Sequence, residues 1–533
     1  MKLLPILLTL PLFAGQMDLM VPMRDGVKLH TLVFTPEGDG PWPTVLTRTP
    51  YEMQRGSDAK AYVGRGYVRV IQNVRGQFQS EGKYRAFTDD VNDGYDTVEW
   101  IAKQRWCTGK VGVTGGSAGG ITTNMAAISG APHLTAAYVT VATGSTFRHA
   151  AYPGGVFLQH MNEQWMKGRG VEPSTDPRPL HRVYDDEARQ ADMRQYYSKI
   201  KVPFVNVGGW YDIFSAGTVE NFIGLQAHGA AKARGNQKLV MGAFGHGAMS
   251  GDVKYPADAA DRRLMDPFRW FDYWLKGEQN GADKDPAVRY YMMGDTFDKS
   301  APGNEWRSSA SWPPTSTITS YYLNAGGGLT TSPPRAAKDT FSYDPRNPVP
   351  TIGGNNLTLP KGPMDQRPAG ARPDVLRYQT EPLAQAVEIA GNVEAELTVS
   401  TDAEDTDFMV KLVDVYPNGY QALVLDQAYR LRYHAGFDKP TRVEKNKPYT
   451  IKVNLWPTAL VFNKEHRIAV HVSSSNAPRF ERHTNTWAPL TSYDQAVVAR
   501  NTVHIGKSRL LLPVTKVYPA QATSRSGSPA KGF

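Results

Sequence analysis

A single cysteine, Cys107, occurs in 533 residues. One thiol cannot form an intrachain disulfide or a zinc site of several cysteines, which leaves a buried, inert side chain as its expected state. The twelve histidines include no His-Glu-x-x-His and no His-x-His pair. Metal chemistry therefore has no support in the sequence, and no cofactor is implied. Sixty basic against fifty-one acidic residues leave a net charge of +9, thinly spread, with no run of five Lys/Arg. That distribution argues against a nucleic-acid partner. No apolar stretch approaches the roughly twenty residues that cross a bilayer, so no membrane span is expected in a mature, soluble protein. There is no internal repeat, and 41% apolar with 21% charged residues excludes disorder, collagen and coiled coil. At roughly 150 residues per domain, the length predicts about two to four domains.

The N-terminus has the form of a secretory signal. Met1-Lys2 precedes an apolar run from Leu3 to Phe13 and then the small residues Ala14 and Gly15. One charge, a short apolar core and a small-residue exit predict cleavage near residues 14 to 16, giving a signal over 1–16 and a secreted or periplasmic protein.

From residue 17 to 145 apolar strands alternate with helical stretches. Thr44–Thr47, Val68–Ile71 and Lys110–Thr114 look like buried strands, and Val91, Tyr95, Val98 and Ile101 recur at helical spacing. This rhythm predicts an α/β domain with a parallel sheet between helices. It breaks over 146–200, a polar and aromatic insertion containing Pro173, Pro177 and Pro179, then resumes with strands 203–207 and 238–242 as far as residue 285. The insertion is expected to cap the sheet's carboxyl edge, where open α/β sheets bind ligands. An amphipathic helix, kinked or started by Pro267, is expected between residues 260 and 276. From 286 to 520 the period becomes two, as in Val393, Ala395, Leu397 and Val399, which predicts an all-β, jelly-roll-like sandwich. Residues 521–533, rich in Ser, Gly and Ala, read as a frayed tail.

Gly115-Gly116-Ser117-Ala118-Gly119 matches G-x-S-x-G, between a Val-Gly-Val strand and a helix. A turn that sharp strains the serine and lifts its Oγ above the sheet. Serine needs a base, and the base needs an orienter. In α/β-hydrolases these follow in the order Asp/Glu, then His. Asp212 lies just past the strand 204–207 and His246 just past 238–242, so both fall at carboxyl edges in the required order. Ser117, Asp212 and His246 are the predicted triad.

With these residues in place, the sequence resembles the X-prolyl dipeptidyl-peptidase and cocaine-esterase-like serine hydrolases over nearly the whole mature chain. The resemblance runs through Arg48-Thr49-Pro50-Tyr51, Asn73-Val74-Arg75-Gly76, Gly209-Trp210-Tyr211-Asp212 and Trp270-Phe271-Asp272-Tyr273-Trp274. It continues through Gly353-Gly354, Asp365-Gln366-Arg367, Thr406-Asp407-Phe408 and Asn485-Thr486. It implies an α/β-hydrolase domain (17–145 and 201–285), an inserted helical cap (146–200) and a C-terminal jelly-roll domain (286–520). It also implies an oxyanion hole formed by the Tyr51 hydroxyl and the Ala118 backbone N–H. Two departures stand out. Ala118 replaces the tyrosine usual after the nucleophile, and Thr143–Phe147 lacks the acids that hold an α-ammonium group in the amino-ester hydrolase branch.

The activity expected is cleavage of a small-molecule carboxylic ester through an acyl-enzyme. The alternatives are an amide-cleaving, glutaryl-acylase-like enzyme, an X-prolyl dipeptidyl-peptidase-like peptidase, or a noncatalytic glycan-binding protein. Between residues 146 and 170 the cap carries Arg148, His149, His160, Lys167 and Arg169 against the single acid Glu163. Cations facing the cleft would favour an acyl chain ending in a carboxylate, such as glutaryl. Arg148, His149 and Trp165 are the expected substrate contacts.

Overall fold

A computed structural model describes residues 15–53, 58–171, 183–230, 232–261, 266–488 and 492–519. Ten strands form the first sheet: β1 (Gly15–Pro22), β2 (Lys28–Thr35), β3 (Trp42–Thr49), β4 (Val68–Asn73), β5 (Cys107–Gly116), β6 (Leu134–Thr140), β7 (Phe204–Tyr211), β8 (Lys238–Gly245), β9 (Val288–Met292) and β10 (Glu305–Ser309). Their order is β1-β2-β4-β3-β5-β6-β7-β8-β9-β10. The central run from β4 through β9 is parallel; β2 and β10 flank it antiparallel, and β1 pairs antiparallel with β2. Helices α1 (Ala59–Val63), α2 (Asp90–Ala102) and α3 (Ala118–Ile128) join its first strands. Covered on both faces, the central strands are largely buried, and every residue of β4 and β7 is buried.

The insertion opens with a π-helical turn, Thr146–Ala151, followed by α4 (Gln159–Lys167), α5 (Asp186–Gln190) and a 3-10 turn, Met193–Lys199. The Asp185 carboxylate starts α5 by accepting from the Ala188 N–H at 2.9 Å. Residues 172–182 of the expected cap lie outside the described residues. The chain returns to the sheet through β7 and α6 (Ser215–His228). Helix α7 (Pro267–Phe271) begins at the proline, which loses no hydrogen bond at a first helical position, and Asp266 accepts from the Phe268 N–H. Its π-helical continuation, Asp272–Lys276, ends at Gly277 with φ 81°.

The eleven strands of the second sheet are β11 (Thr317–Asn324), β12 (Gly328–Thr330), β13 (Ala337–Tyr343), β14 (Leu376–Gln379), β15 (Val387–Thr401), β16 (Asp407–Val415), β17 (Gln421–Arg430), β18 (Tyr449–Phe462), β19 (Arg467–Ser473), β20 (Ala499–Ile505) and β21 (Arg509–Val517). In β15 the predicted alternation is observed: Val393, Ala395 and Leu397 are buried while Glu394 and Glu396 are half-buried.

Two expected boundaries move. β9 and β10 pair with β8 and with each other, so the first sheet extends to Ser309 rather than ending at residue 285. Short apolar strands of either sheet look alike in sequence, and pairing decides their membership. At the other end, Gly15 and Gln16 pair with Thr35 and Phe34 as the start of β1, although both fall inside the expected signal. The rest of that signal, residues 1–14, and the expected tail, 521–533, lie outside the described residues. No helix among the described residues is long and apolar enough to cross a membrane.

The sheets meet where Met293 exchanges backbone hydrogen bonds with Ala459 and Val461 of β18. Beside that seam His466 is buried between Asp414 (2.9 Å) and Asp295 (3.4 Å). Burial opposes its charge, but the bonds to the two carboxylates outweigh burial and raise its pKa to about 9. A raised folded-state pKa gives stability that is complete below the unfolded value near 6.5 and lost as pH rises through about 9. Wild-type protein should therefore lose on the order of 2–3 kcal/mol across that window. Urea unfolding at pH 6 and pH 9 checks this: His466→Gln should flatten the difference, and an equal slope in both proteins would refute it.

Candidate active site

Ser117 connects β5 to α3 with φ 55° and ψ −126°, a conformation an L-residue adopts only under strain. The turn is tight enough that a Cβ on Gly115 would lie 2.2 Å from the Gly119 carbonyl oxygen. Only glycine fits there. The Ser117 N–H is tied to the Thr140 carbonyl at the end of β6 (3.1 Å). Asp212 follows β7 directly and His246 follows β8 directly. The three side chains thus converge at the carboxyl ends of β5, β7 and β8, the edge where such sheets carry their sites.

His246 Nε2 lies 3.0 Å from Ser117 Oγ, and His246 Nδ1 lies 2.7 Å from Asp212 Oδ2. Asp212 is fully buried, and its Oδ1 accepts from the Phe214 N–H at 2.8 Å. One carboxylate oxygen is therefore fixed by backbone while the other holds the imidazole. The Phe214 ring meets the His246 ring edge to face at 5.9 Å and limits its rotation. With Nδ1–H donated to Asp212, Nε2 is left as an acceptor for the serine proton. Ala118 is the first residue of α3, a position whose N–H has no partner within the helix.

Tyr51 follows β3 and is held from both sides. Asn73 Nδ2 donates to the Tyr51 carbonyl (2.7 Å), and the Arg169 guanidinium lies 4.8 Å over its ring. The indole N–H of Trp165 donates to the Tyr51 hydroxyl at 3.1 Å. Because that bond uses an oxygen lone pair, the hydroxyl proton remains available to a further acceptor. Trp165 also stacks on Phe87, with ring centres 5.6 Å apart.

A chamber of about 160 Å³ opens onto Ser117, walled by Ala118, Phe87, Trp165, Met161 and Phe214, and by Leu357 from the C-terminal unit. None of the described residues lining it is charged. A second space of about 280 Å³ shares Ala86, Phe87, Thr146 and Ala151 with it.

Trp165 is thus where the sequence expects it, but Arg148 and His149 are not. Both Glu220 oxygens accept from Arg148 Nη1 at 2.7 Å. His149 is buried, with its Nδ1 3.0 Å from Thr143 Oγ1, and burial pulls its pKa down to about 4 against the opposing pull of Glu220. Both residues line a different, larger cavity of about 340 Å³ that does not include Ser117. They leave the chamber because the π-helical turn 146–151 presents Thr146, Ala150 and Ala151 to Ser117 and the intervening side chains to the far side. Arg169, another of the cap cations, is spent on the Pro50 carbonyl and the Tyr51 ring.

The C-terminal unit supplies residues that sequence reasoning did not find. Asn355 Nδ2 donates to the carbonyls of Asp212 (2.7 Å) and Trp210 (3.1 Å), and Lys361 Nζ donates to the His246 carbonyl (3.1 Å). The only local signal is the turn-forming Gly353-Gly354-Asn355-Asn356. Nothing in it says which loop it will touch.

Residues 25–184 and 172–248 match the X-Pro dipeptidyl-peptidase (S15 family), and residues 280–510 match the X-Pro dipeptidyl-peptidase C-terminal non-catalytic domain. Cocaine esterase of Rhodococcus sp. (strain MB1 Bresler) is 33% identical over 580 residues, covering 94% of this chain and 98% of that protein. The chain belongs to the S15 family. Like its S15 relatives it is a serine hydrolase, built as an α/β hydrolase with a C-terminal all-β unit. Two solved structures match over 96% of this chain and 99% of their own. They are an aminopeptidase from a marine sediment archaeon, Thaumarchaeota archaeon (TM-score 0.81, 25% identity), and an α-amino acid ester hydrolase (TM-score 0.79, 26% identity).

Proposed function

We propose that this S15 hydrolase is an exported enzyme that cleaves uncharged carboxylic esters through an acyl-enzyme on Ser117. The observation that carries the reading is the unbroken hydrogen-bonded line from Ser117 through His246 to Asp212, beneath a chamber in which none of the described lining residues is charged. His246 takes the Ser117 proton as Oγ attacks the ester carbonyl, then returns it to the departing alcohol. Water repeats the sequence on the acyl-enzyme. The Tyr51 hydroxyl and the Ala118 N–H receive the charge that develops on the carbonyl oxygen. Of the two adjoining spaces, the one at Ser117 has no charged residue among the described residues lining it, while the other carries Glu187. Among the relatives, the 33% identical protein is named a cocaine esterase and a solved neighbour an α-amino acid ester hydrolase, which supports ester chemistry.

The uncharged lining replaces the glutaryl expectation drawn from the cap's cations. A free carboxylate or α-ammonium entering this chamber would lose hydration and gain no counter-charge. A fluorophosphonate probe should add once, at Ser117, and a neutral pentanoyl ester should be hydrolysed with a higher kcat/KM than the glutaryl ester of the same phenol. Absence of the Ser117 adduct would end the serine-hydrolase assignment of this residue. Faster glutaryl hydrolysis, or faster cleavage of the matched anilide, would redirect it to an acylase.

Tyr51→Phe removes one hydroxyl and leaves the ring under Arg169. Its kcat should fall by about 10² to 10³, or roughly 3–4 kcal/mol of transition-state stabilisation. KM should move far less, because the bond is made mainly in the transition state. Steady-state kinetics decide it: unchanged kcat would assign Tyr51 to packing alone.

Export rests on Lys2 and the apolar run to Phe13. Cleavage between Ala14 and Gly15 would leave β1 whole. Edman sequencing of the mature protein from the periplasm or culture fluid tests it, and an intact Met1 would refute it.

A further inference from the structure

We propose that Asn355 and Lys361, carried on the loop 354–362 of the C-terminal unit, are positioning residues that hold Asp212 and His246 in line with Ser117. The unit's family description is non-catalytic, yet this loop reaches both partners of the nucleophile. The proposal rests on the reading of Ser117 as the nucleophile.

The need for such a hold is visible in the local backbone. His246 sits between Gly245 and Gly247, and Gly247 has φ 104° with its N–H turned back to the Gly245 carbonyl at 2.7 Å. A histidine flanked by two glycines has little backbone restraint of its own. Two bonds from the loop supply it: Lys361 Nζ to the His246 carbonyl, and the Ser250 N–H to the Lys361 carbonyl at 2.8 Å. On the acid's side, Asn355 is buried and spends its amide on Trp210, Asp212 and Ser215 Oγ (3.3 Å).

The loop is rigid enough for the task. Gly354 and Gly362 pair across its neck through two backbone bonds of 2.9 and 3.0 Å. Asn356 Nδ2 pins its interior to the carbonyls of Gly353 (2.7 Å) and Pro360 (2.8 Å). The neck is seated against the buried Asp426–Arg479 pair so closely that a Cβ on Gly354, which has φ 88°, would lie 2.7 Å from Asp426 Oδ1. Between the two positioning residues, Leu357 forms part of the substrate chamber's wall.

Lys361 is costly for a residue that only packs. It is half-buried, and burial pulls its pKa below the ordinary lysine value. Among the described residues it forms no ion pair. Its direct partners are the carbonyls of His246 and Leu357, and the opposing pull on its charge comes from Asp212. Among the described residues, the charged side chains in hydrogen-bond contact with His246 are Asp212 on its ring and Lys361 on its carbonyl.

The test compares wild type, Lys361→Met, Asn355→Leu and the exposed-lysine control Lys464→Met. Two readouts are taken: kcat and KM on a neutral aryl ester, and the fluorophosphonate rate at Ser117 by intact mass. Rates are normalised to the fraction of protein that finally labels, so misfolded molecules do not count. A misplaced base is expected to lower kcat and the labelling rate about 10- to 100-fold with little change in KM. A fall in kcat and in labelling rate at nearly constant KM is a split that a purely structural role would not produce. Lys464→Met should behave as wild type. Wild-type kcat and labelling rates in both loop variants, with wild type labelled at Ser117, would overturn the positioning role. If Asn355→Leu does not fold, Lys361→Met decides alone. A wild type that does not label at Ser117 overturns the nucleophile reading and this proposal with it.

Discussion

Ser117→Ala is expected to lower kcat by about 10⁴- to 10⁶-fold while the circular dichroism spectrum is unchanged. Alanine deletes the attacking oxygen and nothing else, because the residue's backbone is held by Thr140 and by the start of α3. A residual rate above that of water should persist, since the Ala118 N–H, the Tyr51 hydroxyl and the chamber remain. Ser117→Gly separates chemistry from strain. It should be as inactive as the alanine variant but more stable by about 1–3 kcal/mol, because glycine adopts φ 55° without the cost that serine bears there. Activity assays and urea unfolding on the two variants read both effects. A fluorophosphonate adduct on Ser117→Ala would show a different nucleophile, and equal stability of the two variants would show that the turn is not strained.

Asp212→Asn should cost about 10⁴-fold in kcat with the protein folded and KM little changed. The amide is nearly the same size as the carboxylate, so Phe214 and Asn355 keep their places. What changes is the tautomer. An asparagine that donates to His246 Nδ1 drives the imidazole proton onto Nε2, which then faces Ser117 Oγ as a donor and cannot accept its proton. Fluorophosphonate labelling should slow by a similar factor, because that reaction also needs the base. A variant with near wild-type labelling would assign Asp212 to structure alone.

The parts of this site that were legible in the sequence are those governed by local rules. Ser117, Asp212 and His246 could be placed because each follows directly on a strand whose apolar run is readable. A parallel sheet lines up such strand ends along one edge. Ser117 even announced its strain through its glycine neighbours. The strands and helices of the hydrolase unit were found near their predicted positions for the same reason: hydrophobic period is a property of a dozen neighbouring residues. Trp165, expected to contact substrate, lines the chamber, and its donation to the Tyr51 hydroxyl depends on two segments 114 residues apart.

The failures share a cause. Arg148 and His149 stand in the same short turn as Ala150 and Ala151, and which face of a π-helical turn looks at Ser117 is not encoded by composition. Glu220, 72 residues downstream of Arg148, neutralised the cation that had suggested a glutaryl preference. β9 and β10 have the texture of sandwich strands, yet they close the first sheet, because pairing follows the available edge rather than the period. Sequence by itself pointed to the hydrolase class and singled out Ser117, Asp212 and His246, since each is written in short-range spacing. Tertiary structure alone decided that no charged residue lines the chamber among the described residues, and that a loop more than 100 residues away in the chain reaches the carbonyls of Asp212 and His246. Those properties belong to contacts between distant segments, and a contact's identity is settled only when the chain has packed.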